Sequence, residues 1–219
     1  MKSILQVLRK EWMCFIGSDR GVFGLYAILV LSWSFLLGSG DDSGIRLGAL
    51  WLVFFSVVVS ANFSSTVFIS ERITGALEIL ITSGLSRSSI LFGKMLFVIM
   101  MSLIIGGICL LLGLLWPRFL FNSSGGSVNA ADFLIYAASV FLNVSNSAYL
   151  SVRISNPRLL HFANLFLLAV IVSVYMAVNS VFPLSPVILI LVLLVMGVFT
   201  SILARREFNG ERILQQVIL

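Results

Sequence analysis

Six uncharged runs, at residues 21–37, 47–70, 95–116, 133–152, 162–182 and 184–204, leave this chain little freedom. Each is close to the roughly 17–25 residues that cross the hydrocarbon of a bilayer as a helix, where every backbone N–H and C=O must find its partner within the protein. The whole chain agrees with that reading. Of its 219 residues 59% are hydrophobic and only 11% charged, with a mean hydropathy of +1.11, whereas soluble domains are about 45–50% apolar. The expected fold is therefore an all-α polytopic membrane protein, a single transmembrane domain over residues 1–219.

Ahead of the first run, Ile4, Leu5, Leu8, Trp12, Phe15 and Ile16 fall on one side of a helix, with Gln6, Arg9 and Lys10 on the other. That pattern predicts an amphipathic helix within residues 1–18, lying in the interface with its basic side towards anionic headgroups. No small-residue cleavage site follows the first apolar run, so the first span is expected to insert uncleaved.

Charge decides the orientation. With the N-terminus inside, the inner segments hold Lys2, Arg9, Lys10, Arg20, Arg72, Arg87, Lys94, Arg153, Arg158, Arg205, Arg206 and Arg212, which leaves only Arg46 and Arg118 outside. Such a bias places both termini and the segment 71–94 in the cytoplasm. The formal charge of +5 is spread in ones and twos rather than gathered on a face, so membrane topology accounts for it and nucleic acid is not expected as a partner. Cys14 and Cys109 lie at different depths and are not expected to pair. No internal repeat is evident.

Between the second and third runs lies ERITGALEILITSGLSRSSILFGK, residues 71–94. Ile73, Ala76, Leu77, Leu80 and Ile81 recur at helical spacing, with Glu71, Arg72, Thr74 and Glu78 between them. Gly84 is placed to stop that helix and Ser86 to cap the next. The expected shape is helix, tight turn, helix outside the bilayer: a docking element rather than a mere linker.

Chemistry is hard to find elsewhere. General acids, bases and metal ligands must titrate or coordinate, and the six runs carry no charged group to do so. His161 sits at an inner span edge beside Arg158 and is read as interfacial, since a zinc site needs three or four donors. There is no Gly-X-Ser-X-Gly elbow and no Gly-rich run ending in Gly-Lys-Ser/Thr, so the chain is not expected to be an enzyme or to hydrolyse a nucleotide by itself. The spans do hold small and polar residues: Ser56, Ser60 and Ser64 every four residues in the second, and Ser139, Asn143, Asn146 and Ser147 along one side of the fourth. Two readings stay open for them, hydrogen-bonded helix packing and the lining of a polar pathway, for which Ser56, Ser60, Ser64, Asn143, Asn146 and Ser147 are the candidates.

The central segment resembles the region between the second and third spans of type 2 ABC exporter permeases. The likeness is carried by Glu71-Arg-Ile-Thr-Gly-Ala-Leu-Glu-Ile-Leu, then Thr82-Ser-Gly-Leu-Ser-Arg, then Ile90-Leu-Phe-Gly-Lys94. The amphipathic N-terminal helix with Lys10-Glu11, the six spans and the tail with Arg206-Glu207-Phe208 fit the same family. The resemblance implies that Glu71, Arg72, Gly75, Leu77, Glu78, Gly84 and Arg87 belong to a coupling segment seated in a cleft of a separate ABC-type ATPase subunit. It also implies a second permease chain, the same or different, and an export path between the two. ATP and magnesium would be held by the partner, with no cofactor on this chain. A bacterial or archaeal cytoplasmic membrane is the implied location, and the length and bare spans are similar to the subgroup that serves haem export in cytochrome c maturation. The brief turn between the last two spans departs from relatives with re-entrant outer helices. Two other classes remain as alternatives: a six-span substrate-binding subunit of a vitamin uptake system, and a membrane assembly protein without a transport role.

Overall fold

The structure, a computed structural model, describes residues 2–17, 20–38, 47–70, 84–120, 129–154, 156–182 and 184–208. These residues form helices and their connections, with no strand among them. In chain order the helices are α1 (Lys2–Ile16), α2 (Arg20–Gly38), α3 (Leu47–Ser64), continued by a π-helical turn (Ser65–Ser70), α4 (Arg87–Leu120), α5 (Ala130–Leu150), α6 (Pro157–Val181) and α7 (Pro186–Glu207). Five helical segments are long and apolar enough to cross a membrane: Trp51–Ile69, Arg87–Trp116, Ala130–Leu150, Pro157–Val181 and Pro186–Glu207. Helix α2 carries a shorter apolar stretch, Gly24–Leu37.

The exterior of this bundle carries many large apolar side chains. Leu25 and Ile28 on α2, Leu111 on α4, Phe166 and Val174 on α6 and Val195 and Phe199 on α7 all stand exposed, a surface that water would not tolerate on this scale and that lipid solvates. The chain is an integral membrane protein.

Helix α3 lies at the centre, packed against α4, α5 and α6; α5 packs along α7, α2 lies on α4, and α1 crosses the beginning of α4. With lipid outside, burial of apolar surface does not by itself pull these helices together, so close backbone approach and hydrogen bonds must do more. Gly106 on α4 shows this. A methyl group there would run into the ring of Tyr136, which packs against the glycine and donates its hydroxyl to the Ser102 carbonyl at 2.7 Å. Gly197 on α7 likewise receives the ring of Phe141 from α5. Aromatic contacts knit the other end of α2: Trp33 meets Trp51 edge to face at 5.9 Å and donates Nε1–H to its carbonyl at 3.1 Å, while Trp116 donates to Ser34 Oγ at 2.9 Å.

The connection between α6 and α7 is as short as the sequence predicts. Asn179 Oδ1 accepts from the Leu184 N–H at 2.8 Å, and Ser185 caps α7 with Pro186 at its first position, where a proline costs no helical hydrogen bond. Helix α4, by contrast, starts well before the uncharged run that begins at Met95: it opens at Arg87. Lys94 therefore stands two turns inside a helix rather than in the aqueous segment to which charge counting assigns it.

Candidate functional site

The part of the central segment that the structure describes begins at Gly84. This residue has a φ of 76°, the left-handed backbone that glycine adopts without steric cost and that commonly ends a helix. Ser86 then caps α4, its Oγ accepting from the Ser89 N–H at 3.3 Å and its carbonyl from the Ile90 N–H at 3.1 Å. Arg87 follows, exposed at the first position of the helix. Glu71, Arg72, Gly75, Leu77 and Glu78 lie outside the described residues.

Where α4 begins, three elements meet. Helix α1 approaches so closely that a Cβ on Gly93 would lie 2.8 Å from Cβ of Val7, and Ser3 donates to Ser89 Oγ at 3.0 Å. One turn beyond Val7, Glu11 points into the same seam. Its Oε1 accepts from Lys94 Nζ at 3.0 Å and from Lys10 Nζ at 3.3 Å. Lys94 Nζ also donates to the Val67 carbonyl at 2.9 Å. Both members of the pair are out of solvent, Glu11 at 4% and Lys94 at 0% exposure.

Val67 belongs to the π-helical turn that ends α3. That turn has a local cause: the hydroxyls of Ser65 and Thr66 both bond the Asn62 carbonyl, at 2.8 and 3.1 Å, and compete there with the backbone donor that an α-helix would supply. One ammonium thus ties the end of α3, the beginning of α4 and the amphipathic α1 together, directly before and after residues 71–83. A charge so deeply placed is tolerated only because it is paired and hydrogen-bonded.

The serine and asparagine residues of the spans form a second polar feature. Ser56, Ser60, Ser64, Asn143 and Ser147 are at 0% exposure and Asn146 at 7%, so in this conformation they face neighbouring helices. Asn143 Nδ2 donates to Ser56 Oγ at 3.1 Å, joining α5 to α3. Asn164 on α6, which the sequence reading did not single out, completes the seam: its Oδ1 accepts from Asn146 Nδ2 and its Nδ2 donates to Ser147 Oγ, each at 2.7 Å. The signal was present as an asparagine in a predominantly apolar run, a residue that lipid disfavours unless it has partners.

The seam is not fully satisfied. Ser64 Oγ, Asn143 Oδ1, Ser145 Oγ and Ser102 Oγ are buried with no hydrogen-bond partner among the described residues. Polar atoms in that condition cost free energy in the packed state, and the cost falls away when the helices around them separate. Comparison of the chain with family models, curated proteins and solved structures returned no match.

Proposed function

We propose that this chain is the membrane permease subunit of an ATP-driven transporter of the type 2 ABC exporter class, acting with a second permease chain and separate ATPase subunits. The observation that carries the reading is residues 71–94: a charged segment with the composition of a docking helix, whose exit is held at a three-way junction of α1, α3 and α4 by the buried Lys94–Glu11 pair. A force applied to that segment reaches three helices at once. In this reading α2 is the sixth span, both termini and the connection between α3 and the start of α4 are cytoplasmic, and the protein resides in a bacterial or archaeal cytoplasmic membrane.

The partner supplies ATP chemistry and this chain supplies a shape that changes. The buried and partly unpaired polar seam of α3, α5 and α6 suits such a role, because its unpartnered oxygens are better solvated in a conformation where a path opens beside it. The path-lining residues on this account are Ser56, Ser60, Ser64, Asn143, Asn146 and Ser147.

Mild-detergent purification tests the reading. An ATPase of the nucleotide-binding type is expected to co-purify, and Glu78→Lys is expected to leave insertion and abundance intact while abolishing that association. Unchanged association and transport in Glu78→Lys counts against the coupling role, and a chain that purifies with no ATPase favours the vitamin-uptake or assembly alternatives. Cysteines at positions 56, 60 and 64 in turn are expected to react with a membrane-impermeant thiol reagent during turnover; complete protection at all three removes the proposed path.

A further inference from the structure

Helix α4 runs without a break for 34 residues, Arg87–Leu120, about 50 Å at 1.5 Å per residue, against a hydrocarbon core of about 30 Å. Its two parts are fastened to different neighbours. The inner part is tied to α1 and the end of α3 through Gly93, the Lys94 contacts and the Phe15–Phe97 ring pair at 6.3 Å. The outer part is tied to α2. Cys109 Sγ donates to the Val30 carbonyl at 3.9 Å, a Cβ on Gly113 would lie 3.3 Å from Cβ of Leu37, and Trp116 reaches Ser34. Between the two parts stand consecutive glycines, Gly106 and Gly107.

Packing explains only one of these glycines. Gly106 makes room for Tyr136, whereas a Cβ on Gly107 would meet nothing within 4 Å. Glycine inside a helix weakens it relative to alanine, and kinks collect where glycine and serine stand together. Tyr136 acts on the same turn. Its hydroxyl bonds the Ser102 carbonyl, which in an α-helix is also the acceptor for the N–H of residue 106. We infer that Gly106 and Gly107 form a joint in α4, and that the Tyr136 hydroxyl, donated from α5, holds the joint in its continuous helical form. When that bond is released, the inner part swings with α1 and the end of α3 while the outer part stays on α2. Ser102 Oγ, buried without a partner among the described residues, suits the flexed form, since a serine hydroxyl bonded back to the carbonyl four residues earlier favours a bend. The device belongs to the bundle itself and does not depend on the ATPase coupling proposed above.

Spin-label distances in the full-length protein, with any subunits that accompany it, test the joint. On a chain carrying Cys14→Ser and Cys109→Ala, one labelled pair replaces the exposed Phe92 on the inner part of α4 and the exposed Phe162 on α6. A second pair replaces the exposed Leu111 on the outer part and the exposed Val181 on α6. Tyr136→Phe keeps the ring against Gly106 and removes only the hydroxyl. It is expected to raise a second population in the inner-pair distance about two- to tenfold, the ratio that one hydrogen bond is worth, and to leave the outer pair unchanged. Adding Gly107→Ala, for which there is room, is expected to suppress that population. An inner-pair distribution that Tyr136→Phe does not alter, equal changes in both pairs, or a second population that survives Gly107→Ala each overturns the assignment. The first of these, accompanied by a lower thermal midpoint, leaves Tyr136 as a packing residue alone.

Discussion

Replacing Lys94 by methionine is expected to cost about 3–5 kcal/mol, because the substitution leaves the Glu11 carboxylate buried without its principal counter-ion. The volume is nearly conserved, so the loss is electrostatic rather than a cavity. Thermal inactivation in detergent, followed by size-exclusion recovery, reads the effect as a large drop in midpoint. The accompanying variants sharpen the argument. Glu11→Gln combined with Lys94→Met is expected to recover most of the stability, since neither ion remains to be desolvated and the residual cost includes the ammonium bond lost from the Val67 carbonyl, about 1–3 kcal/mol. Exchanging the two charges, Glu11→Lys with Lys94→Glu, is expected to recover little, because a carboxylate at position 94 would face that carbonyl. Full recovery by the exchange would show that the pair acts through charge alone and that the third contact, to the end of α3, is immaterial.

The second large effect is expected at Asn164. Changing it to leucine removes the acceptor of Asn146 Nδ2 and the donor to Ser147 Oγ in one step, while fitting an apolar side chain of similar size against α5. Interhelical hydrogen bonds within membranes average near 0.6 kcal/mol and reach about 1.7; with two lost and a buried amide orphaned, a total of about 1–3 kcal/mol is expected. Asn164→Asp is expected to be worse than leucine, since it adds a charge at a site with no cation among its described partners. If Asn164→Leu instead raises the midpoint, the seam is retained at the expense of stability, which is the behaviour of a site kept for function.

The spans were legible in the sequence because an apolar run of fixed minimum length has few other uses. The ends of α2, α5 and α6 fall within a few residues of the runs that predict them. Gly84 and Ser86 were also legible, each through a local backbone requirement that no distant contact can alter. What the sequence concealed was pairing. Glu11 and Lys94 are 83 positions apart, and periodicity places each on a face without saying which faces meet. Charge counting treats every lysine as wet, so it could not show that Lys94 is buried. On α1 the apolar face that points to Leu5, Trp12 and Ile16 is exposed, whereas Val7 and Glu11 form the buried stripe; hydropathy ranks a glutamate among the residues least suited to that place, and the lysine across the seam makes it suitable. The π-helical turn was hidden for a similar reason, since it depends on which of several donors wins the Asn62 carbonyl. In the polar seam the sequence offered α3 and α5, and Asn164 from α6 was needed to show how the three helices are joined.

The central claim is that residues 71–83 seat in an ATPase subunit on the cytoplasmic face. A photo-crosslinking amino acid in place of Leu77 tests it in intact membranes, with the same substitution at Arg118, on the opposite side in the proposed topology, as the reference. The account predicts that position 77 forms an adduct with a nucleotide-binding ATPase and that position 118 does not. An adduct at both positions, or at neither while the protein is inserted and abundant, would contradict it.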